Sequence, residues 1–239
     1  ATEANISPGM LDIMSGVLCL KVKADDLLAY ICGILAHSAF TDRFAEELGR
    51  RELRVPITKD PNLFDQVLDI GRKLIWLHTY GQRFVLKGYH KGQIPKGSAK
   101  CTKAVSDKPK NYPETYDYND TTKTLTVGDG QFQPVSPEIY EFEVSGLKVV
   151  KSWLNYRMKF GNGRKSSPLD DIRPERWTAD FTTELLELLW VLEHTLAEYP
   201  KQAELLEKVI TGPLFKADEF PEVPEPWRKP PPKHSLDYE

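Results

Sequence analysis

The sequence predicts an α+β fold with a helical N-terminal part, a small, mostly antiparallel β portion that carries an amphipathic helix, and a C-terminal helical pair. Three observations predict it. Apolar residues recur at helical spacing through much of residues 1–82, alternating segments flank two tight-turn sequences in residues 114–135, and leucines recur at helical spacing after Trp177. With 239 residues, 40% of them hydrophobic, the chain can bury a sizeable core as one large domain or two small ones.

The N-terminal part is predicted to be mostly helical. Ser7-Pro8 combines a capping residue with proline at the first helical position, and Val17–Val22 is compatible with a strand. Asp25–Leu48 has the apolar pattern of a buried helix that breaks near His37. Asp60-Pro61 is again a capping residue followed by proline, so a further core-facing helix is expected to begin there.

Residues 83–111 differ in character, because glycine and proline interrupt any regular pattern while lysine recurs every few positions. The lysines are Lys87, Lys91, Lys96, Lys100, Lys103, Lys108 and Lys110. Such a segment is compatible with a flexible, solvated loop. It is equally compatible with a loop that becomes ordered on a phosphate backbone. The sequence leaves both interpretations open.

The β portion is predicted from two turn sequences. Aromatic and polar residues alternate before Asn119-Asp120, and Leu125 and Val127 alternate on the return. Gly128-Asp129-Gly130 predicts a second tight turn into another short strand. Antiparallel hairpins are therefore expected.

Residues 137–157, PEIYEFEVSGLKVVKSWLNYR, combine an extended segment with an amphipathic helix. Apolar and acidic residues alternate up to Val144, and Ser145 is placed to cap the helix that follows. One helical face contains Leu147, Val150, Leu154 and Met158, and another contains Lys148, Lys151, Asn155 and Lys159. The second face is either an ordinary solvated surface or a surface that follows the phosphates of a nucleic acid.

Two acidic helices are predicted near the C-terminus. Trp177–Tyr199 has the longest amphipathic pattern, Pro200 is expected to end it, and Lys201–Ile210 is expected to form a second helix. From Phe220 onward the sequence is rich in proline and is expected to be extended. The chain is thus predicted to divide into four parts, residues 1–82, 83–165, 166–219 and 220–239.

Charge is segregated along the chain, although the net charge is only −3. Residues 50–111 contain fourteen Lys and Arg and five Asp and Glu, a net charge of +9. Residues 166–239 contain eight and sixteen, a net charge of −8. A basic middle is compatible with nucleic-acid binding, and an acidic C-terminal third is common away from such a site.

The sequence patterns of catalytic and metal sites are absent from the chain. It has no glycine-rich nucleotide-binding loop, no Asn/Asp-Pro-Pro-Tyr/Phe motif of amino-methyltransferases, no HxxxH or HExxH spacing and no CxxC pair. The three cysteines are typical of a reduced, cytoplasmic protein. No apolar run approaches the roughly 20 residues of a membrane span, so no membrane association is expected.

Three segments also resemble a known family, in the same order as in that family. Residues 137–157 resemble the signature PxxxWEFxIGGYQVLEKWLKDR. Leu27–Thr58, with LLAYICGILAHSAFTDRFAEEL and LRVPIT, is similar to YIYAVLHSPxYRxxYAExL and PRIPLP, and Leu63–Tyr80, LFDQVLDIGRKLIWLHTY, is similar to LFxxLxxLGxxLIxLH. These patterns occur in the C-terminal DNA-specificity domain of Type ISP enzymes, the single-polypeptide, Type I-like restriction-modification enzymes of bacteria.

The resemblance implies a target-recognition domain that holds duplex DNA so that an upstream adenine methyltransferase can flip its base. Its partners would be double-stranded DNA and the methyltransferase and helicase–nuclease domains of the same polypeptide, in the bacterial cytoplasm. The full-length parent would use S-adenosylmethionine, ATP and Mg²⁺, and none of them is expected to bind this part. Because the chain begins with Ala1 rather than methionine, a fragment of such a protein is expected.

The candidate DNA contacts are polar, basic or aromatic side chains, since base edges and phosphates require donors and acceptors. The loop candidates are Lys87, Tyr89, Lys91, Lys96, Gln131, Gln133, Asn162, Arg164 and Lys165. The candidates for backbone contact from the helix are Lys148, Lys151, Asn155 and Arg157. All are expected to converge on one surface, and a carboxylate from the C-terminal helices among them would count against this arrangement.

Two other classes of function are considered. The acidic C-terminal helices and the proline-rich tail would also suit a protein-interaction module that docks onto other domains of a larger enzyme. A free-standing enzyme has almost no support from the sequence motifs. We therefore expect the chain by itself to be non-catalytic, although its full-length parent would be a restriction endonuclease and DNA methyltransferase.

Overall fold

A computed structural model describes residues 5–50, 53–159 and 176–225, and it confirms the α+β class. These residues form eight α-helices, one four-stranded sheet and one two-stranded sheet. The chain divides into two compact units, the first formed by Ala1–Arg72 with Pro200–Glu239 and the second by Lys73–Tyr199. The four-part division expected from the sequence stays a prediction.

Most of the elements are short. The helices are α1 (Met10–Leu18), α2 (Ala24–Leu35), α3 (Ser38–Arg43), α4 (Ala45–Leu48), α5 (Pro61–His78), α6 (Pro137–Tyr140), α7 (Val149–Asn155) and α8 (Ala179–Thr211). The strands are β1 (Lys100–Lys103), β2 (Tyr116–Asn119), β3 (Thr124–Val127), β4 (Gly130–Gln133), β5 (Glu143–Val144) and β6 (Leu147–Lys148). No helix among the described residues is both long enough and apolar enough to cross a membrane.

The first unit confirms the predicted start of α5. The Oδ1 atom of Asp60 accepts the backbone N–H groups of Asn62 at 2.8 Å and Leu63 at 3.0 Å, as a capping residue should. The predicted break near His37 is confirmed too, because α2 ends at Leu35 and α3 begins at Ser38.

The predicted strand at Val17–Val22 is wrong. Helix α1 continues to Leu18, because Leu18 joins Met14 on the buried side of the helix, whereas Val17 is 46% exposed. The chain then folds back on the helix, since the hydroxyl of Ser15 accepts the backbone N–H of Val22 at 3.0 Å.

Helices α2 and α5 approach each other closely, because glycines lie at their contact. A Cβ atom added to Gly71 would lie 1.7 Å from the carbonyl oxygen of Ala29. A Cβ atom on Gly33 would lie 2.5 Å from the carbonyl oxygen of Val67. The two backbones can therefore pack this closely only with glycine at both positions.

The four-stranded sheet organises the second unit. Its order is β1-β4-β3-β2, and every pairing is antiparallel. The hairpins β2–β3 and β3–β4 lie where their turn sequences predict them. Strand β1 was not predicted and corrects the expectation that residues 83–111 lack regular structure. It forms because it pairs with β4, which opposes Cys101 to Phe132.

One face of this sheet lies against a hydrophobic core. Leu125, Val127 and Phe132 are fully buried on that face. The same core contains Val150 and Leu154 of α7 and Leu185, Leu188, Leu189 and Leu192 of α8. Since side chains alternate along a strand, the other face of the sheet presents the polar residues.

The first half of the signature segment is helical rather than extended. Pro137–Tyr140 form α6, and the hydroxyl of Ser136 accepts the N–H of Ile139 at its start. Serine followed by proline is a helix start, and this local chemistry outweighs the alternation of apolar and acidic residues.

The second half begins with a hairpin, so Ser145 does not cap the helix. Ser145 and Gly146 form the turn between β5 and β6, with φ values of 51° and 83°. Helix α7 starts at Val149, and the predicted inward residues Val150 and Leu154 are buried. Leu147 was predicted to face the core, but it lies on the hairpin and is 56% exposed.

The C-terminal helical pair is one helix of 33 residues, α8, with Pro200 inside it. An internal proline costs about 3 kcal/mol, because it removes one hydrogen bond and crowds the preceding turn. Buried leucines continue on both sides, including Leu192 before Pro200 and Leu205 after it. Packing of this apolar stripe explains why the helix does not end where the sequence predicts.

Candidate nucleic-acid interface

The outer side of the four-stranded sheet is a polar surface. The register opposes Lys103 to Gln131, Gln131 to Thr126, and Thr126 to Asp117. A second row opposes Lys100 to Gln133 and Thr124 to Asn119, and the hydroxyl of Thr124 donates to Oε1 of Gln133 at 2.9 Å. We call this surface the open sheet face; it comprises Lys100, Lys103, Asp117, Asn119, Thr124, Thr126, Gln131 and Gln133.

The open sheet face has the chemistry that base reading requires. Gln131 and Asn119 have amide groups that can donate and accept together, and Thr126 offers a hydroxyl. Lys100 and Lys103 are exposed on β1, the edge strand, where a positive charge can reach a phosphate. Asp117, on the opposite edge strand, is the one carboxylate among the residues of this surface.

The loop before β1 is folded. The N–H of Gly81 donates to the carbonyl of Trp76 at 2.8 Å, and the N–H of Gly92 donates to the carbonyl of Gly81 at 3.0 Å. The ring of Tyr89 packs edge-on against Trp76 with the centroids 4.7 Å apart, and Tyr89 is 40% exposed. The exposed side chains of Lys87 and Lys91 therefore project from a closed loop.

The end of this loop is attached to α8. The carboxylate of Glu193 accepts the N–H of Ser98 at 2.8 Å and its hydroxyl at 2.5 Å. The indole N–H of Trp190 donates to the carbonyl of Ala99 at 2.8 Å. A Cβ atom on Gly97 would lie 2.3 Å from the Glu193 carboxylate and 2.7 Å from the Trp190 ring, so both side chains would have to shift if another residue replaced this glycine. These contacts fix the backbone between Lys96 and β1.

The lysines of the loop and of β1 have no ion-pair partner within residues 5–50, 53–159 and 176–225. This set, which we call the loop–strand lysines, comprises Lys87, Lys91, Lys96, Lys100 and Lys103. All five are exposed. Each is therefore available to bind an external anion, as a phosphate contact requires.

The lysines of the signature segment are instead paired within the chain. Glu141 lies 2.5 Å from Nζ of Lys148 through one carboxylate oxygen and 2.5 Å from Nζ of Lys151 through the other. Hydrogen bonds from Lys148 and then Lys151 lower the pKa of the Glu141 carboxyl. Lys151 also lies 4.6 Å from the ring centroid of Tyr140. Lys159, on the same predicted face, lies 2.7 Å from Glu114.

The last two signature candidates also have internal partners. The side-chain oxygen of Asn155 accepts a hydrogen bond from the hydroxyl of Tyr116 at 2.9 Å. Arg157 lies over Trp153, 3.8 Å from the ring centroid, and 2.8 Å from the carboxylate of Glu184 on α8. A carboxylate from the C-terminal helix thus does reach one of the predicted DNA contacts.

The structure therefore brings some of the predicted site residues together on or near one surface, and others are not part of that group. Gln131 and Gln133 lie together on the open sheet face, and Lys87, Tyr89, Lys91 and Lys96 are exposed on the loop that leads to its edge strand. Asn162, Arg164 and Lys165 lie outside the described residues. Whether any of the thirteen candidates contacts DNA stays a prediction.

Six residues of the open sheet face were missed as candidates, namely Lys100, Lys103, Asp117, Asn119, Thr124 and Thr126. The available signal was the alternation around the turn at residues 120–123, which assigns Asn119 and Thr126 to the face opposite Leu125. For Lys100 and Lys103 no local pattern was sufficient, because their position depends on pairing with β4, about 30 residues later in the chain.

The second unit also contains a pair of neighbouring carboxyl groups. Partial burial and the nearby Glu184 raise the pKa of Glu187. Burial, with further contributions from Glu187 and Glu184, raises the pKa of the Tyr80 hydroxyl. No cluster of three or more His, Cys, Asp or Glu that could bind a metal ion occurs among the described residues.

A family model supplies an independent comparison. The model for the Type ISP C-terminal specificity domain matches residues 1–188 of this chain. No curated protein sequence matches the chain.

Solved structures with a similar fold were also found. A cryo-EM structure of a DrdV–DNA complex matches 86% of this chain with 14% identity and a TM-score of 0.55. A nuclease-deletion mutant of the Type ISP restriction-modification enzyme LlaGI, in complex with a DNA substrate mimic, matches 79% with 19% identity and a TM-score of 0.46. The ATP-dependent Type ISP enzyme LlaBIII, bound to DNA, matches 85% with 15% identity and a TM-score of 0.49. The chain spans 20%, 16% and 11% of the lengths of these three chains.

Proposed function

Because the chain belongs to the family of Type ISP C-terminal specificity domains, we propose that its open sheet face and loop–strand lysines recognise a short sequence in duplex DNA. The chain itself is the specificity module of a restriction-modification enzyme, and modules of this kind select the target rather than cut or methylate it. Since the chain spans about a fifth of the DrdV chain, the activity of the whole enzyme is part of the proposal.

The observation that carries the proposal is the difference between the two sets of lysines. The signature lysines are neutralised within the chain, whereas the loop–strand lysines are exposed and unpaired among the described residues. A protein cation that contacts a DNA phosphate replaces the mobile counterions bound to the DNA, which are then released. The loop–strand lysines can act in this way, and two of them, Lys100 and Lys103, lie on the open sheet face itself.

The geometry supports different roles for the lysines and for the uncharged polar residues of this surface. The lysines contact phosphates and set the register, while Gln131, Thr126 and Asn119 reach base edges in a groove. Gln133 is less free to read a base, since its side-chain oxygen already accepts a hydrogen bond from Thr124. Tyr89 adds an exposed aromatic ring beside Lys87 and Lys91.

Asn155 and Arg157 receive a different role in this proposal. Asn155 is tied to strand β2 through Tyr116, and Arg157 is tied to α8 through Glu184. Together they hold α7 against β2 and α8, and this packing positions the open sheet face. Asn155 and Arg157 therefore have a role in the signature segment that does not require direct DNA contact.

The proposal places this chain in a larger polypeptide of the bacterial cytoplasm. An upstream adenine methyltransferase, with S-adenosylmethionine, would modify the target that this domain holds, and helicase and nuclease domains would use ATP and Mg²⁺. No site for these cofactors is assigned to this chain.

A salt-titrated selection from a randomised duplex pool tests the proposal. We expect enrichment of one short sequence, and a binding constant for that sequence that falls steeply and linearly in a log–log plot against salt. The variant Lys208→Ala, which removes a lysine paired with Glu204, serves as a control and should bind as the parent does. Absence of binding to any duplex at low salt would overturn the proposal for this chain.

A second candidate function is docking onto another domain of the same enzyme. The first unit has an apolar groove of about 860 Å³ whose lining includes Phe44, Leu48, Leu214, Phe215 and Phe220. Exposed apolar surface of this kind is typical of protein contacts rather than DNA contacts. Capture of the separately expressed upstream domains by the chain, lost on Phe215→Ser, would support this function.

A further inference from the structure

We infer that Lys148 and Lys151 form a binding site for one DNA phosphate, and that Glu141 occupies this site as a phosphate mimic until DNA displaces it. This inference rests on the proposed function, because it names one contact and its regulation. It concerns a part of the chain other than the open sheet face and the loop–strand lysines.

The geometry of the three side chains carries the inference. Each ammonium group lies 2.5 Å from a different oxygen of one carboxylate. Two cations that share the oxygens of one small anion present the arrangement in which a phosphate group binds. Glu143 faces Lys148 across the β5–β6 pairing, so a second carboxylate lies near this cation.

The two lysines are positioned by parts of the fold that do not involve Glu141. Lys148 belongs to β6, whose partner strand begins at Glu143. Lys151 lies over the ring of Tyr140, and that ring is stacked on Tyr118 with the centroids 4.2 Å apart. A cation–π contact can hold the ammonium group of Lys151 in place after the carboxylate leaves.

Glu141, in contrast, is placed to move. It follows the last residue of α6, and its side chain is 45% exposed. Phosphate and carboxylate can therefore exchange at a fixed pair of cations.

The exchange has a consequence for salt dependence. In the parent chain, one carboxylate is released and attracts a cation when the phosphate binds, so the net release of counterions is reduced. Removal of the charge on Glu141 should make the plot of log affinity against log salt steeper, by no more than about 1, and it should raise the affinity for any duplex about three- to tenfold near 0.1 M salt.

The test compares Glu141→Gln with a matched control, Glu204→Gln. Both variants remove one exposed carboxylate that is paired with lysine, but Glu204 pairs with Lys208 in the first unit. We expect the gain in affinity and slope only for Glu141→Gln. Adding Lys148→Gln and Lys151→Gln to Glu141→Gln should abolish the gain, whereas the same two changes in the parent chain should have a smaller effect, because there the lysines are already neutralised.

The outcomes separate this inference from the proposed function. If the parent chain binds DNA and Glu141→Gln binds with the same affinity and slope, or gains no more than Glu204→Gln, the phosphate site is refuted while the DNA-binding function stands. If no variant binds any duplex at low salt, the proposed function fails together with the inference.

Discussion

Arg157 donates a 2.8 Å hydrogen bond to Glu184, 27 residues later in the chain. The same guanidinium lies over Trp153 and near Phe181, 3.8 Å and 5.4 Å from the ring centroids. An arginine at the end of a basic helix thus connects α7 to α8 inside the second unit. Its charge is used within the fold, and this explains why charge pattern alone does not locate the proposed DNA-binding surface.

Replacement of Arg157 by alanine should therefore destabilise the protein. We expect the free energy of unfolding to fall by about 1–3 kcal/mol, because the aromatic contacts of the guanidinium and of its apolar stem are lost together. Urea unfolding measures this change. Glu184→Gln, which removes a half-exposed ion pair and leaves the stacking, should cost only about 0–1 kcal/mol. An Arg157→Ala variant that unfolds like the parent but binds DNA with a shallower salt slope would contradict this assignment.

Gln131 and Lys103 are opposite each other on the open sheet face, and we expect different effects from their removal. Gln131→Ala should reduce discrimination at one base pair of the target by about 1–3 kcal/mol and leave non-specific affinity unchanged. Lys103→Ala should weaken binding to all sequences and reduce the salt slope by about 0.9, because one phosphate contact is lost. Competition binding with single-base variants of the selected target, at several salt concentrations, distinguishes the two. Equal losses on every sequence for both variants would show that Gln131 reads no base.

The sequence-based predictions were correct where residues within a few positions of one another determine the local structure. The start of α5 and the hairpins β2–β3 and β3–β4 were correct, because Asp60-Pro61 and the turn residues act within a few positions. The start of α7 was misplaced, because Ser145 has both the chemistry of a helix cap and the tolerance of positive φ that a hairpin turn needs. The hairpin pairing of β5 with β6 decided between the two.

The candidate site was less predictable than the fold, because its residues are brought together by long-range pairing. Lys100 reaches Gln133 only through the β1–β4 ladder, and Lys103 reaches Gln131 in the same way. The partner of Arg157 is also distant in sequence, since Glu184 lies 27 residues later, whereas Glu141 lies only 7 and 10 residues before Lys148 and Lys151. The family model confirmed the family resemblance. The motifs of this family consist of contiguous residues, so they can be recognised without knowledge of long-range pairing.

Gly71 is predicted to be irreplaceable even though alanine is the better helix former. Helix propensity alone would favour Gly71→Ala by about 1 kcal/mol. The new Cβ atom, however, would lie 1.7 Å from the carbonyl oxygen of Ala29, so α2 and α5 would have to separate. We expect the variant to lose several kcal/mol of stability, about 3 or more, in urea or thermal unfolding.

Gly16 provides the matched control for this prediction. It also lies inside a helix, α1, but a Cβ atom there has no neighbour within 4 Å. Gly16→Ala should therefore be neutral or stabilise the protein by about 0.5–1 kcal/mol. If Gly71→Ala is as stable as Gly16→Ala, the close contact between α2 and α5 is not present in solution.

His37 should make the stability of the first unit depend on pH. Its side chain is buried, and burial lowers the pKa of the ring, although a backbone hydrogen bond at Ile34 opposes this shift. Because the unfolded chain has the higher pKa, about 6.5, the unfolded state binds the proton first as the pH falls. The contribution of neutral His37 is therefore complete above about pH 6.5 and decreases as the pH falls from there toward the lower pKa of the folded state, with a limiting slope of about 1.4 kcal/mol per pH unit. Thermal or urea unfolding of the parent and of His37→Gln between pH 8 and pH 5 measures this contribution. The difference in stability between the two proteins should shrink at low pH, and a constant difference would show that His37 is not protonated on unfolding.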